Sequence, residues 1–394
     1  MLTPRQIATL PGYLRNLREI WDIYLPKPKW LRGKVAPATN AQLAVYGYFL
    51  SEIGLGEAAR RLVEALDDRV TAELINIPLP RRQNEPALKD RVVRRSSTTP
   101  VTLTIAAVDA VALRGAALYR NKINISYPYW ELPTSPPHIA AGLGKYDQHW
   151  APSSFIRDFL ENCQSAPVHL VKQPVRIPAD EPDYRAGNGP YTFLSYFDVD
   201  SFTSRKNPQG VVQAFRQAFP PSDRDVRLIV KVRGRRDDGI RTWLNGIAAE
   251  DPRITLIDRF LSREEMDDLL AASDAFVSLH RSEGFGFGPA EALLAGKPVI
   301  ATDFGGTTDF ITPETGFPVS WRARPLAVGE YPNGAGSHWA EPDLADAAAQ
   351  MRSLRDAPQA ARDRARAGFA LLRRNHAPEV IGAQIQALLQ EISP

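Results

Sequence analysis

The chain has 394 residues, 44% of them hydrophobic and 24% charged, with a formal net charge of +3. That length and apolar content suit two packed domains rather than a disordered chain, and so small a net charge speaks against a dedicated nucleic-acid binder, which shows a strong basic stripe. A single cysteine, Cys163, excludes an intrachain disulfide, 6 scattered histidines lack metal-ligand spacing, and no apolar run approaches the roughly 20 residues that cross a bilayer. The expectation is a protein of the reducing cytoplasm, binding no metal and at most peripheral to the inner face of a membrane.

The basic excess is local. Residues 1–40 hold seven basic side chains against two acidic ones, and Leu14, Leu17, Trp21 and Tyr24 recur at helical spacing among Arg15 and Arg18. This predicts a basic amphipathic helix within residues 11–34, which either rests on an anionic membrane or packs on its own domain or a partner. Short apolar or β-branched runs then alternate with helical patterns: QLAVYGYF, EAARRLVEAL, TAELINI, VTLTIAAV, NKINISY and DQHWAP. A proline-rich stretch over 173–191 reads as a linker, after which the rhythm resumes through TFLSYF, VVQAFRQAF, RLIVKV, ITLID, EEMDDLLAAS, AFVSLH, EALLAG and PVIAT to a helical tail. The alternation predicts βαβ units, hence an α/β chain of two doubly wound, Rossmann-like domains facing each other across a cleft. We place them at 1–180 and 181–375, with a helix over 376–394 returning to the first. Residues 322–342 are rich in glycine and proline without periodicity, and read as a long functional or mobile loop.

Ligands of open parallel sheets bind beyond the carboxyl ends of the strands, so the loops that follow strands carry the chemistry. In HRSEGFGFGPAEALLAG, a buried strand gives way to three glycines within five positions, and a helix is expected from Pro289 to Gly296. Backbone N–H groups at such a helix start suit an anion or a hydroxyl-rich ligand. Glu291, taken as lying in the first helical turn, could merely offset the helix dipole, but that leaves Glu283 and the glycines without a role.

In SFTSRKNPQGVVQAF, Asn207 reads as an N-cap and Pro208 as a first-turn proline, so Arg205 and Lys206 stand just ahead of a helix start, against its dipole. A phosphate site would produce that broken rule, because cations and helix N-terminus converge on one anion. Lys231, within RLIVKV, needs an anionic partner or a snorkelling path to solvent. Gly54 and Gly56 open a helix with GxGxxA spacing, which fits a dinucleotide turn or another phosphate turn. For a nicotinamide enzyme the ribose acid belongs at the tip of the next strand, whereas Glu73 lies inside it. Asp198 and Asp200 could hold magnesium, and we read them instead as turn residues.

Together these motifs resemble the group 1 glycosyltransferases, in particular family 4 of the GT-B fold. The likeness is close from Thr192 to about Arg355 and looser over residues 42–171, and rests on the spacing of Glu283 and Glu291 around GFGFGPA, the following ALLAGKPVIATDFGGTTDF, RKNP, and SEIGLGE. The resemblance implies retaining transfer of a sugar from a UDP- or GDP-linked donor, without an obligatory metal or other cofactor, to a saccharide or lipid-linked saccharide in surface polysaccharide or glycolipid synthesis. It implies that Glu283 holds sugar hydroxyls and Glu291 the ribose, that Phe285, Gly286 and Phe287 present backbone donors, and that Lys206, with Arg205 and Lys231, neutralises the diphosphate. Gly54 and Gly56 would let the first domain's backbone approach that diphosphate, and Arg259 to Leu261 fall where the family cradles the base. The chain departs from the family in reading LSYFDVD where many relatives place an arginine, and in offering Trp130, Glu131 and, further on, His138 where many place a histidine. Glu131 would assist donor or acceptor, or cap the helix that follows. The rival readings are a nicotinamide-dependent oxidoreductase and a nucleotide-sugar binder without turnover.

Overall fold

The computed structural model describes residues 41–392 except 67–68, 80–84, 94–98, 116–117, 119–121, 185–188 and 236–238. The basic segment 11–34 therefore lies outside the described residues. The chain divides into two compact units: described residues up to Trp130, Ser135–Arg176 and the segment from His376 form the first, and Glu131–Thr134 with Ile177–Asn375 form the second.

The first unit is built on a parallel sheet of seven strands: β1 (Leu43–Gly47), β2 (Ala72–Asn76), β3 (Val92–Val93), β4 (Val101–Ala107), β5 (Ile123–Tyr129), β6 (Gln148–Ala151) and β7 (Val168–Leu170), in the order β3-β2-β1-β4-β5-β6-β7. Its crossovers carry α1 (Gly54–Leu66), α2 (Val108–Arg114), α3 (Pro137–Leu143) and α4 (Ser154–Cys163). Every residue of β1 is buried, as a strand covered on both faces requires, and this is why LAVYG reads as a continuous apolar run rather than an alternating one.

The second unit repeats the plan with β8 (Tyr191–Asp198), β9 (Val226–Arg233), β10 (Ile254–Asp258), β11 (Ala275–Ser278), β12 (Val299–Thr302) and β13 (Phe317–Val319), all parallel, in the order β10-β9-β8-β11-β12-β13. Its helices include α5 (Thr203–Lys206), α6 (Pro208–Ala218), α7 (Ile240–Glu250), α8 (Arg263–Ala271), α9 (Phe287–Leu294) and α10 (Leu344–Asp356). Phe193, Phe215 and Phe219 lie at its centre with ring centroids 5.4–6.2 Å apart. Strand order reverses between β8 and β11. The chain leaves these neighbouring strands in opposite directions there, which opens the crevice that doubly wound sheets use for ligands.

The expectation of one long loop over residues 322–342 is corrected at its ends. These pair as an antiparallel hairpin, β14 (Trp321–Pro325) on β15 (His338–Pro342), with Arg322 opposite Glu341, and residues 326–337 form the loop between them. β14 is largely exposed, so it has no apolar face to announce it. β15 buries Trp339 and Ala340, and ion pairs tie the hairpin further: Glu341 accepts from Arg281 at 2.7 and 2.9 Å and lies 3.0 Å from Arg324, while both guanidiniums stand over the Trp339 ring.

After α11 (Pro358–His376), the last helix, α12 (Pro378–Ile392), packs on α1 within the first unit. Ile381, Ile385 and Leu389 are buried, and a Cβ at Gly382 would stand 1.9 Å from the carbonyl oxygen of Ala65. Glycine here lets the two helix backbones touch.

Candidate functional site

The loop after β8 is shaped by backbone that few side chains tolerate. Asp198 accepts from the Asp200 amide at 2.8 Å, Asp200 accepts from the Arg235 amide at 3.0 Å, and Arg233 lies 3.5 Å from Asp198. Both carboxylates are thus engaged in the turn. Phe202 and Asn207, with φ of 63° and 53°, bracket α5 in the left-handed region. Asn207 caps α6 by accepting from the Gly210 amide at 3.2 Å, and its side-chain amide donates to the Leu279 carbonyl at 2.9 Å. One side chain therefore fixes the start of α6 and ties it to the chain leaving β11. Arg205 and Lys206 stand just ahead of the start of α6, as the sequence suggests. They close α5, and Asn207 separates them from the next helix.

Those cations meet Glu283, delivered by the loop after β11. Lys206 Nζ donates to Glu283 Oε1, and Arg205 Nη1 lies 3.2 Å from Oε2. Arg205 is 4% exposed. It also donates to the carbonyls of Ser282 at 2.7 Å and Ser201 at 3.3 Å, while its buried Nε–H finds no hydrogen-bond partner among the described residues. Burial by itself would raise the Glu283 carboxyl, but Lys206 and Arg205 outweigh it and hold the group at about 2. Burial likewise draws the Lys206 ammonium below the ordinary lysine range, with Glu283 offsetting only part, so this lysine gains from any further anion. His280, wholly buried, is held down to about 4 by desolvation and kept neutral among Ser278, Thr307 and the Phe304 carbonyl.

The glycines have physical roles too. Gly286 adopts φ 99° and ψ 63° as the residue before α9, and a Cβ there would stand 2.4 Å from Thr307 Cγ2. The left-handed turn starts the helix at Phe287, two residues earlier than Pro289. Glu291 consequently sits in the second turn, and the dipole explanation for it falls away. The amides of Phe287 and Gly288 open the helix, where no intrahelical acceptor exists for them. The rings of Phe285 and Phe287 meet at 5.1 Å, and Phe285 also packs on Phe310 at 5.4 Å, which anchors the loop.

Glu291 has its own partners. Tyr196 donates to it at 2.7 Å and Arg263 at 3.0 Å. A reciprocal cap between Ser262 and Glu265 fixes the start of α8 and so aims Arg263. Lys231, beside Tyr196 in the sheet register, is 4% exposed, so it does not snorkel to solvent. Arg259 is well exposed and pairs with Glu265 at 2.7 Å, whereas Leu261 is buried.

Of the acceptor-side residues, Glu131 joins the cationic cluster within the second unit: Oε1 lies 3.9 Å from Arg205 Nη2, and Oε2 accepts from Tyr331 at 2.7 Å. It does not cap α3, which begins after Pro136 without a side-chain cap. Trp130 is buried against Phe159 in the first unit, and His138 is exposed on α3. Also in that unit, a Cβ at Gly56 would clash with the Ser51 carbonyl at 2.1 Å, while one at Gly54 would meet nothing within 4 Å. Tyr331, Tyr196, Arg263 and Ser282 escape a reading of the sequence, because each acts through a fold contact and none carries a local motif. Among the described residues no group of three or more His, Cys, Asp or Glu could hold a metal ion, and no helix is long and apolar enough to cross a membrane.

Residues 185–320 match the family model described as glycosyl transferases group 1. Over 60 residues the chain is 42% identical to the lipopolysaccharide core biosynthesis mannosyltransferase LpsB of Rhizobium meliloti, covering 14% of this chain and 17% of that protein. Among solved structures, Anabaena Alr3699/HepE in complex with UDP-glucose aligns with a TM-score of 0.65 at 13% identity, over 90% of this chain and 100% of that one. TarM of S. aureus, in complex with Fondaparinux, alpha-GlcNAc-glycerol and UDP, aligns with a TM-score of 0.56 at 13% identity, over 73% of this chain but only 55% of its own. This chain therefore spans a small part of LpsB and about half of TarM. Its fold is that of the GT-B glycosyltransferases, and the match to the group 1 model falls within its second unit.

Proposed function

We propose that the protein transfers a hexose from a UDP- or GDP-linked donor, with retention at the anomeric carbon, to a saccharide or lipid-linked saccharide of a surface polysaccharide or glycolipid. One observation carries the reading: Arg205 and Lys206 from the loop after β8 converge with Glu283 from the loop after β11, at the strand-order reversal of the module that matches group 1. The UDP-glucose in complex with HepE and the mannosyltransferase name of LpsB support this donor and acceptor class.

In this reading Lys206 and Arg205 hold the diphosphate, and the unmatched Nε–H of Arg205 is a donor that a phosphate oxygen completes. The bond from the anomeric carbon to the diphosphate oxygen breaks as the acceptor oxygen bonds to that carbon on the same face, and the acceptor proton leaves with the nucleoside diphosphate. Fixed cations and amides favour the charge that grows on the leaving group over the charge already present, so they lower the barrier and do more than tighten binding. Glu283 holds sugar hydroxyls through lone pairs left by its cations, Glu291 takes the ribose, and Arg259 to Leu261 flank the base. Phe285, Gly286 and Phe287 offer main-chain donors, and Lys231 adds charge from within the sheet. In the first unit Gly54 is the open glycine, while Gly56 serves packing. The nicotinamide reading gains nothing, because Glu73 is occupied by Thr99 at 3.1 Å.

The test is a panel of UDP- and GDP-hexoses, with NAD as the contrasting ligand, read by thermal shift and by release of nucleoside diphosphate. Stabilisation by one nucleoside diphosphate family together with its release from the matching sugar supports the proposal. A shift with NAD alone, or none with any nucleotide, overturns it. Contact of residues 11–34 with an anionic membrane belongs to the same reading. Vesicle flotation of the full chain against Arg15→Glu/Arg18→Glu decides that part, with equal flotation removing it.

A further inference from the structure

The loop between β14 and β15 places one side chain against two supports of Arg205. The Tyr331 hydroxyl donates to Glu131 Oε2 at 2.7 Å, and the other oxygen of that carboxylate lies 3.9 Å from Arg205 Nη2. The Tyr331 ring packs on Phe202 at 5.0 Å between centroids. Phe202 is the left-handed residue that starts α5, and its carbonyl accepts from the amides of Arg205 and Lys206 at 3.0 and 3.3 Å. Glu131 is fixed a second time, because its carbonyl accepts from the hydroxyl of Ser282, the residue before Glu283. The hairpin itself is tethered to the same chain segment, since Arg281 bonds Glu341 of β15 and donates to the Ser204 carbonyl at 2.6 Å.

We infer that Tyr331 is a positioning residue for sugar transfer: through Glu131 it sets the orientation of the Arg205 guanidinium between Glu131 and Glu283. This rests on the function proposed above. A guanidinium is a planar fork whose use depends on its plane, and Glu283 with the Ser282 carbonyl engages only one arm of it. The other arm donates to the Ser201 carbonyl at 3.3 Å and has Glu131 as its carboxylate neighbour at 3.9 Å. Held by Tyr331, this carboxylate keeps the second arm from swinging as a diphosphate arrives, so that the cation meets charge developing on the leaving oxygen without reorganising. Tyr331 is buried, and its phenol is raised well above its ordinary value by burial and then by Glu131, so the hydroxyl stays protonated and serves as a donor only.

The experiment uses the full chain and follows hydrolysis of UDP-glucose, UDP-N-acetylglucosamine and GDP-mannose, a transfer to water that requires no chosen acceptor. Tyr331→Phe, Glu131→Gln and the double variant are compared on whichever donor the native chain cleaves. The expected result is a fall in kcat of about tenfold for Tyr331→Phe with donor KM unchanged, a similar or larger fall for Glu131→Gln, and a double variant no slower than Glu131→Gln, since residues acting through one another do not add. A native kcat in Tyr331→Phe, a loss confined to KM, or a double variant slowed by the product of both effects overturns the inference. A lowered melting temperature with native kcat below it marks a merely structural tyrosine and overturns it too. If the native chain cleaves none of the donors and no nucleoside diphosphate shifts its melting, the underlying function fails, an outcome distinct from a native chain that turns over and a Tyr331→Phe chain that keeps pace with it.

Discussion

The amide of Gly306 donates to the carbonyl of Glu283 at 2.7 Å, and the two segments lie so close that a Cβ on Gly306 would stand 2.1 Å from the carbonyl oxygen of Gly284. Its neighbour Gly305, at φ 88°, would place a Cβ 2.4 Å from the Glu283 oxygen. The paired glycines of ATDFGGTTDF thus let the loop after β12 brace the one that carries Glu283. Gly306→Ala forces backbone apart rather than displacing a flexible side-chain tip, so it should destabilise the chain by about 1–3 kcal/mol and weaken nucleotide binding through a shifted Glu283 loop. Urea unfolding and a nucleotide thermal shift measure both. Native values in Gly306→Ala would mean that the loops separate without cost.

Acid should expose the Glu283 cluster. The carboxyl is held at about 2 against 4.5 for the ordinary group. A depressed folded value contributes stability that is fully present above the unfolded value and is lost as pH falls through the folded one, so the window runs from about 4.5 down to about 2. The contribution is of the order of 3 kcal/mol. Glu283→Gln should therefore be less stable than the native chain at neutral pH, with the gap narrowing across that window. Urea midpoints between pH 7 and 2.5 follow it, and a gap independent of pH would show that Glu283 titrates in the ordinary range.

How much of this is legible in the sequence follows from which signals are local. Continuous apolar strands, alternating with amphipathic helices, announce both doubly wound units, because a parallel sheet buries both faces and needs crossovers. Asn207 and Pro208 mark a helix start by chemistry that acts within three residues. The start of α9 lies two residues ahead of the expected Pro289, since nothing local shows that Gly286 rather than Gly288 turns left-handed. The β14–β15 hairpin leaves no periodic trace because β14 is largely exposed and β15 buries the adjacent Trp339 and Ala340 rather than alternate residues. Glu131 stands out in the sequence, but its hydrogen-bond partner Tyr331 lies 200 positions away, and no spacing encodes a contact at that range.

Tyr196 gives Glu291 a half-buried partner from the sheet. Its phenol is raised well above the ordinary value, by burial first and then by Glu291, so it donates across the working pH range. Removing the hydroxyl in Tyr196→Phe leaves Arg263 as the polar partner named above, on the exposed side of the carboxylate. If Glu291 holds the ribose, donor KM should rise about fivefold or more while kcat changes little, the pattern expected when ground state and transition state lose the same interaction. Initial rates against donor concentration measure this, and a fall in kcat at unchanged KM would move Glu291 from binding to chemistry.

Lys206 and Arg205 share one carboxylate but differ in what else they hold. Lys206 contributes its charge to Glu283, with a side chain 21% exposed. Arg205, at 5%, also satisfies the carbonyls of Ser282 and Ser201 and faces Glu131. Lys206→Met should cost turnover heavily, by about 10²–10³ in kcat for a lost cation at the leaving group, and stability little, because Arg205 still pairs with Glu283. Arg205→Met should cost both, since two carbonyls and two carboxylates lose a buried partner at once, a change on the order of 3–5 kcal/mol. Donor hydrolysis and urea unfolding of the two variants side by side separate the roles. Equal loss of stability in both would mean that Lys206 is as structural as its neighbour, and that the leaving diphosphate is met elsewhere.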